Sequence, residues 1–158
     1  MSTLRSAMLV LALSFATAAP AALAQDACYA WPLRTVGGSV AYDGDTIYVE
    51  MPGLPPELAH MSVRVLGIDA PERGGRAGCA GERSLGLQAR SRMIALLAGA
   101  EAVAFCNISW DKYGGRIDAD VFADGLHIAT VLVGEGLARW YDGGERQPWC
   151  ADGVLIGE

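Results

Sequence analysis

Two short acidic stretches and one arginine hold the chemistry that stands out in this chain. Residues 63–72 read VRVLGIDAPE, with Val63 and Val65 on one face of a strand-like run and Arg64, Leu66 and Ile68 on the other. An arginine inside an apolar strand is costly unless an anion meets it. Asp69 and Glu72 follow directly, on either side of Ala70 and Pro71, so a cation and two carboxylates converge where the run ends. Taken alone, the tetrapeptide from Asp69 is more commonly a capped turn, with Asp69 as N-cap and Glu72 closing a capping box. Upstream lies Asp43-Gly44-Asp45-Thr46, again between strand-like runs. An Asp-Gly pair ordinarily marks a hairpin turn, where glycine supplies a positive φ. It is no EF-hand loop, since Leu54 stands where the bidentate glutamate would be. Two acidic turns beside β runs could bring Asp45 and Asp69 together as hard oxygen ligands. Calcium suits such a pair better than zinc, because no histidine or thiolate lies nearby.

The elements that must position these groups are short. Residues 37–50 alternate around the DGD turn as two strands, and residues 51–56, with Pro52, Gly53 and Pro55, form a surface loop. Residues 61–68 make the next strand, and the glycine-rich stretch 73–81 a loop. The spacing predicts a helix over 82–98, with Leu85, Ala89, Met93, Leu96 and Leu97 on one face and Gly99 ending it. Residues 101–108 and 116–123 are strands around the turn at 111–115, Asp124-Gly125 turns the chain again, and 128–133 form a second short helix. Five short strands with an intercalated helix fit a small closed barrel.

Residues 1–24 have the form of a secretory signal peptide: Arg5, an apolar core from Ala7 to Ala16, and Ala22-Leu23-Ala24 as cleavage site. The remaining chain, 25–158, is long enough for one domain with a core and has no stretch that would span a bilayer. The leader carries only Arg5, so the mature chain holds 11 basic against 18 acidic residues. That balance argues against a tight, static nucleic-acid binder, for which phosphate neutralisation dominates affinity. It leaves room for a hydrolase whose few arginines share one cleft. The four cysteines, Cys28, Cys79, Cys106 and Cys150, lack C-x-x-C spacing and read as two disulfides of an exported chain. Three connectivities are possible; the preferred one joins Cys28 to Cys150 across the termini and Cys79 to Cys106. His60 and His127 have no paired nucleophile, and Trp31, Trp110, Trp140 and Trp149 form no stacking ladder. Arg73, Arg76, Arg83, Arg90 and Arg92 could make a local basic face near the site, but such a run is more commonly a solvated face.

DGDT, then R-x-x-x-I-D-A-P-E, then Asp111-Lys112-Tyr113-Gly114-Gly115-Arg116, in that order, resemble the staphylococcal nuclease (thermonuclease) family over residues 36–138. The resemblance implies an α+β, mainly β domain: a five-stranded OB-fold barrel with two to three short helices. After Ala138 it fades, and a truncated or absent last helix held by Cys150 is expected. It further implies Asp45, Asp69 and the main-chain carbonyl of Ala70 as calcium ligands. Arg64 and Arg116 would clamp phosphate through bidentate contacts. Glu72 would orient or deprotonate the attacking water. Tyr113 and Tyr141 would contact base or terminal phosphate, with turn or core packing the alternative for each. Alanine replaces the type enzyme's threonine at position 70, and Gly115 is an extra residue before Arg116; the longer turn is expected to absorb it. The implied function is a secreted or periplasmic, monomeric, calcium-dependent nuclease cleaving DNA and RNA and leaving 3′-phosphate ends. The competing reading is a catalytically inactive module of the same fold that binds nucleic acid or protein.

Overall fold

In β5 (Arg116–Ala123) the burial alternates without a break: Ile117, Ala119, Val121 and Ala123 point into the core, and Arg116, Asp118, Asp120 and Phe122 do not. Such a period of two is what a half-buried strand requires, and β5 is the strand about which the sheet is built. The computed structural model describes residues 27–156. The expected signal peptide at 1–24 lies outside them.

The elements before β5 are β1 (Thr46–Glu50), α1 (Pro56–Ala59), β2 (His60–Val65), β3 (Ile68–Asp69), α2 (Ala80–Ala98) and β4 (Val103–Trp110); after it come β6 (Leu126–His127), α3 (Ile128–Gly134), β7 (Arg139–Trp140), β8 (Cys150–Ala151) and β9 (Val154–Leu155). The result is mixed α+β, mostly strands, with three helices among the described residues. The main sheet has the order β1-β2-β5-β4, with β6 also pairing β5. β2 runs antiparallel to β1, with Arg64 opposite Thr46, and parallel to β5, with Arg64 opposite Asp118. The odd-numbered Val63 and Val65 therefore enter the core, while Arg64 shares the other face with Thr46, Arg116 and Asp118.

The strand pairing does not close into the expected barrel. Single bridges from the N-terminal segment, Tyr29 to Phe105 of β4 and Leu33 to Val49 of β1, are what lie between the two edges. Residues 37–50 yield one strand rather than two, because Ser39 and Ala41 make only isolated bridges before β1 begins at Thr46. The loop expected over 51–56 turns into α1 at Pro56, where proline's fixed φ suits a first helical turn. α2 starts two residues earlier than expected, at Ala80, because the Cys79 sulfur caps it by accepting from the Glu82 amide. Ala89, Met93 and Leu97 face the core as the spacing predicts, whereas Leu85 and Leu96 are only half-buried. After α3 the described chain contains no further helix; β7 and the β8–β9 hairpin occupy that stretch.

The disulfides correct the preferred connectivity: Cys28 joins Cys106, and Cys79 joins Cys150. The cause is the path of the N-terminal segment. Tyr29 pairs with Phe105 through both main-chain hydrogen bonds, at 2.8 Å each, which sets Cys28 beside β4 with its Cα 4.2 Å from that of Cys106. The C-terminal hairpin instead crosses to the start of α2, where Leu155 packs against Gly81 and Cys150 reaches Cys79.

Candidate active site

Both acidic turns rest on α2, and two glycines let them come so close. A Cβ on Gly86 would stand 2.6 Å from the Pro71 carbonyl oxygen and 2.8 Å from the Glu72 carbonyl. A Cβ on Gly44 would stand 2.7 Å from the Ala89 Cβ and 2.8 Å from the Ala70 Cβ. Gly44 is not among the positive-φ residues, so this glycine serves close approach rather than the turn geometry expected of it. No helix follows Asp69, and the capping-box alternative is not realised. The amide of Glu72 donates instead to Glu82 Oε1 (3.1 Å), while Glu82 Oε2 accepts from the Gly78 amide (2.6 Å). Glu82 is buried, and its carboxylate ties the 69–78 segment to the first turn of the helix.

Arg64 meets the anion its burial demands. Its Nη1 donates to Asp45 Oδ1 (3.0 Å), its Nη2 to the Ile68 carbonyl (3.0 Å), and Nη2 lies 3.8 Å from Asp69 Oδ1. Asp45 also accepts from the Thr46 hydroxyl and, through Oδ2, from the Ala70 amide at 3.0 Å, which joins the two acidic turns directly. Arg116 begins β5 after Gly115, which takes a left-handed φ of 76°. Its Nε donates to Asp111 Oδ2 (2.7 Å), and its guanidinium lies over the exposed ring of Tyr113. Tyr141 donates its hydroxyl proton to the Gly144 carbonyl (2.7 Å).

Asp45, Arg64, Ala70, Glu72, Tyr113, Arg116 and Tyr141 thus line one open cleft of about 870 Å³. Asp69 is not on that wall; it lies behind, against Trp149 and Arg146. Trp149 Nε1 donates to Asp69 Oδ2 (3.2 Å), and Arg146 Nε stands 3.1 Å from Oδ1. That Arg146 contact is an ion pair without hydrogen-bond alignment, since buried Oδ1 accepts no aligned bond. Glu72 is paired with Arg76 at 3.0 Å and lies 3.9 Å from Arg146.

Sequence reasoning passes over Asp43, Arg76, Glu82, Arg146 and Trp149. The four-residue spacing from Glu72 to Arg76 is a usable signal for one of them. For Arg146 and Trp149 no local signal exists, because the path of the C-terminal strap brings them in.

Burial, and then the charge of Asp45, push the Asp43 carboxyl up to about 7. Burial also raises Asp69, opposed by the charge of Arg146 and the Trp149 hydrogen bond. Asp118 is raised by burial and by the Asp111 charge. Burial acts the same way on Asp111, but the hydrogen bonds from Arg116 and the Tyr113 amide and the Arg116 charge together outweigh it, and Asp111 is lowered. Among the described residues no three Asp, Glu, His or Cys side chains form a ready-made metal cage. The donors near Arg64 are oxygen alone, and two buried carboxylate oxygens there, Asp69 Oδ1 and Asp118 Oδ1, lack an aligned donor. That donor set fits a hard cation rather than a soft one.

The sequence profile of the staphylococcal nuclease homologues matches residues 62–150, from the middle of β2 to the start of β8. The chain belongs to this family. No individually curated protein matches it. The DGD turn at 43–46 precedes the matched residues, yet Asp45 is bonded to both Arg64 and Ala70 within them. Staphylococcal nuclease homologues are a nuclease-like family. Both cysteine pairs are joined, which is consistent with an extracellular protein. No described helix is long and apolar enough to cross a membrane.

Proposed function

We propose that this protein is an exported, calcium-dependent nuclease that hydrolyses phosphodiester bonds of DNA and RNA. The observation that carries the reading is the cleft in which Arg64 and Arg116, from neighbouring parallel strands, stand with Glu72. Two guanidinium groups bind the non-bridging oxygens of one phosphate through paired N–H donors. Arg116 has its Nε committed to Asp111, so its terminal amino groups are the ones left for substrate. Arg64 is held by Asp45 and the Ile68 carbonyl, which orients it before substrate arrives. Glu72, released from Arg76, accepts a proton from the attacking water. The water oxygen bonds to phosphorus in line with the 5′ oxygen, the P–O5′ bond breaks, and the 5′ oxygen leaves taking a proton from solvent water while the phosphate stays on the 3′ side.

A calcium ion held by Asp45, Asp69 and the Ala70 carbonyl would supply positive charge to the phosphate as negative charge builds. Tyr113, exposed beside Arg116, offers a face on which a base could stack. In the same reading the open sheet and the bridging segment at 29–33 serve as an oligonucleotide-binding barrel, the two disulfides support export, and the working unit is a single chain. A non-catalytic binding module of the same family would have no use for a carboxylate such as Glu72 beside its phosphate site. Mature protein should degrade single-stranded DNA with calcium and stop when chelator is added in excess. Undiminished hydrolysis by pure protein in chelator would sink the calcium mechanism; no hydrolysis under either condition would leave the binding module as the better reading.

A further inference from the structure

Besides Arg64, Arg116 and the Arg76 paired with Glu72, a further guanidinium stands at the acidic turn, and it arrives on the C-terminal strap. The strap leaves β7 with the Tyr141 amide bonded to the Gly67 carbonyl (2.8 Å) and ends at Cys150, bonded to Cys79 at the start of α2. Between these anchors Arg139 donates to the carbonyls of Gln147 and Pro148 and lies 3.6 Å from the centre of the Trp149 ring. Arg146 is fastened differently. Among the described residues its main chain makes no hydrogen bond, its side chain is 47% exposed, and its guanidinium meets Asp69 Oδ1 at 3.1 Å, Glu72 Oε1 at 3.9 Å and the Tyr141 ring, whose centre is 5.9 Å away.

We propose that Arg146 is a resident counter-cation of Asp69 and Glu72, exchanged for a divalent cation when one binds and then free to contact the phosphate of the substrate. The charges argue for exchange. Asp45 already has Arg64 at 3.0 Å, whereas Asp69 has Arg64 only at 3.8 Å and Arg146 nearer at 3.1 Å. The Asp69 oxygen that Arg146 faces is the one without an aligned hydrogen bond, so a cation ligated there meets a competitor that no hydrogen bond ties to that oxygen. The Arg146 end of the pair is half-exposed although Asp69 is buried, and without an aligned hydrogen bond it can be replaced by a divalent cation. Arg146 also borders the cleft that Arg64 and Arg116 line, so a freed guanidinium remains within the substrate's surroundings. The disulfide at Cys150 keeps the strap, and with it Arg146, at the site throughout. Arg146 is thereby a residue that couples cation and substrate, a role neither cleft arginine can fill while committed to Asp45 or Asp111.

This inference rests on the reading of Asp69 as a cation ligand, and the test separates the two. Calcium is titrated calorimetrically into wild type, Arg146→Gln and Arg146→Lys, alone and with a deoxynucleoside 3′-monophosphate, the kind of end the proposed reaction leaves. Without nucleotide, Arg146→Gln should bind calcium tighter by about two- to fivefold, the effect of one half-exposed charge, and the gain should shrink as salt is raised. With calcium saturating, the same variant should bind the nucleotide about tenfold more weakly, having lost a charge-assisted contact. Arg146→Lys should keep wild-type calcium affinity and lose part of the nucleotide affinity. If wild type binds calcium and Arg146→Gln binds it no tighter, or if nucleotide affinity is unchanged, the inference is overturned and the cation site stands. If wild type takes up no calcium at all, the cation site falls and the inference with it.

Discussion

Gly86→Ala adds a single methyl group where α2 touches the main chain of the acidic turn. Its Cβ would stand 2.6 Å from the Pro71 carbonyl oxygen and 2.8 Å from the carbonyl carbon and oxygen of Glu72, about 1 Å inside the usual separation of roughly 3.5–4.0 Å. All three atoms are backbone, so nothing can rotate aside. Glu72 is moreover pinned to the same helix by its amide bond to Glu82. Turn or helix must therefore retreat by a good part of an ångström. Two effects oppose each other in stability: alanine in place of glycine inside a helix gains about 1 kcal/mol, and overpacking costs about 1–3 kcal/mol. The net is a loss of about 0–2 kcal/mol, with a melting shift of about 2–8 °C per kcal/mol. Turnover should suffer far more, since moving a positioned group by about 1 Å can cost about 100-fold. Urea unfolding and single-stranded DNA hydrolysis are measured for wild type, Gly86→Ala and Ser91→Ala, the last an exposed position on the same helix. A Gly86→Ala protein that unfolds later by the full propensity gain and cleaves at the wild-type rate would refute the close approach.

Non-reducing peptide mapping should find Cys28 linked to Cys106 and Cys79 to Cys150, and a 28–150 link would contradict the strand path described above. Removing the second bond by Cys79→Ser with Cys150→Ser opens a loop of separation 71 and should lower stability by about 4 kcal/mol in the chain-entropy treatment; an unchanged urea midpoint would count against it. Glu72→Gln keeps shape but cannot take the proton, and Arg64→Lys keeps charge but loses the fork, so each should lower kcat by orders of magnitude with substrate binding largely intact. Both cleaving like wild type would move the active site elsewhere. Ala70→Thr should change calcium affinity little, because every residue type supplies a main-chain oxygen, while Asp69→Asn and Asp45→Asn should each weaken it strongly. Calorimetric titration compares the three, and a gain by Ala70→Thr as large as the loss by Asp69→Asn would mark a degraded site.

What is legible in the sequence is what depends on near neighbours. The alternation of β5 and the face of α2 carrying Ala89, Met93 and Leu97 follow from periods of two or 3.6 residues, while the expectation that Arg64, Asp45, Glu72 and Arg116 meet comes from the family resemblance of their motifs. What is not legible depends on where distant segments run. Cysteine spacing says nothing of a segment that pairs at one residue with β4, which is why the preferred connectivity fails. Barrel closure depends on how the two sheet edges meet, which no single strand's pattern encodes. Asp69 is expected beside Asp45 at the mouth, yet its oxygens are engaged from the far side by Trp149 and Arg146, contributed from eighty and seventy-seven residues further on. Gly44 shows a subtler failure: one glycine has two uses, and the turn rule is the wrong one where close approach governs.

The composition of α2 follows from that second use. Gly81 and Gly86 sit inside the first half of a 19-residue helix, each costing about 1 kcal/mol relative to alanine. Helix stability alone would not select them. A Cβ at Gly81 would lie 2.8 Å from the Cβ of Leu155, and one at Gly86 would strike the Glu72 carbonyl. One glycine thus admits the C-terminal hairpin and the other admits the acidic turn, while Cys79 caps the helix just ahead of both contacts and bonds to Cys150. The N-terminal half of α2 is a platform narrowed so that both can be fixed to it, while Met93 and Leu97 in the other half hold it to the core. The stability given up at the two glycines is offset by the disulfide and by the buried Glu82 carboxylate, which serve the same two segments.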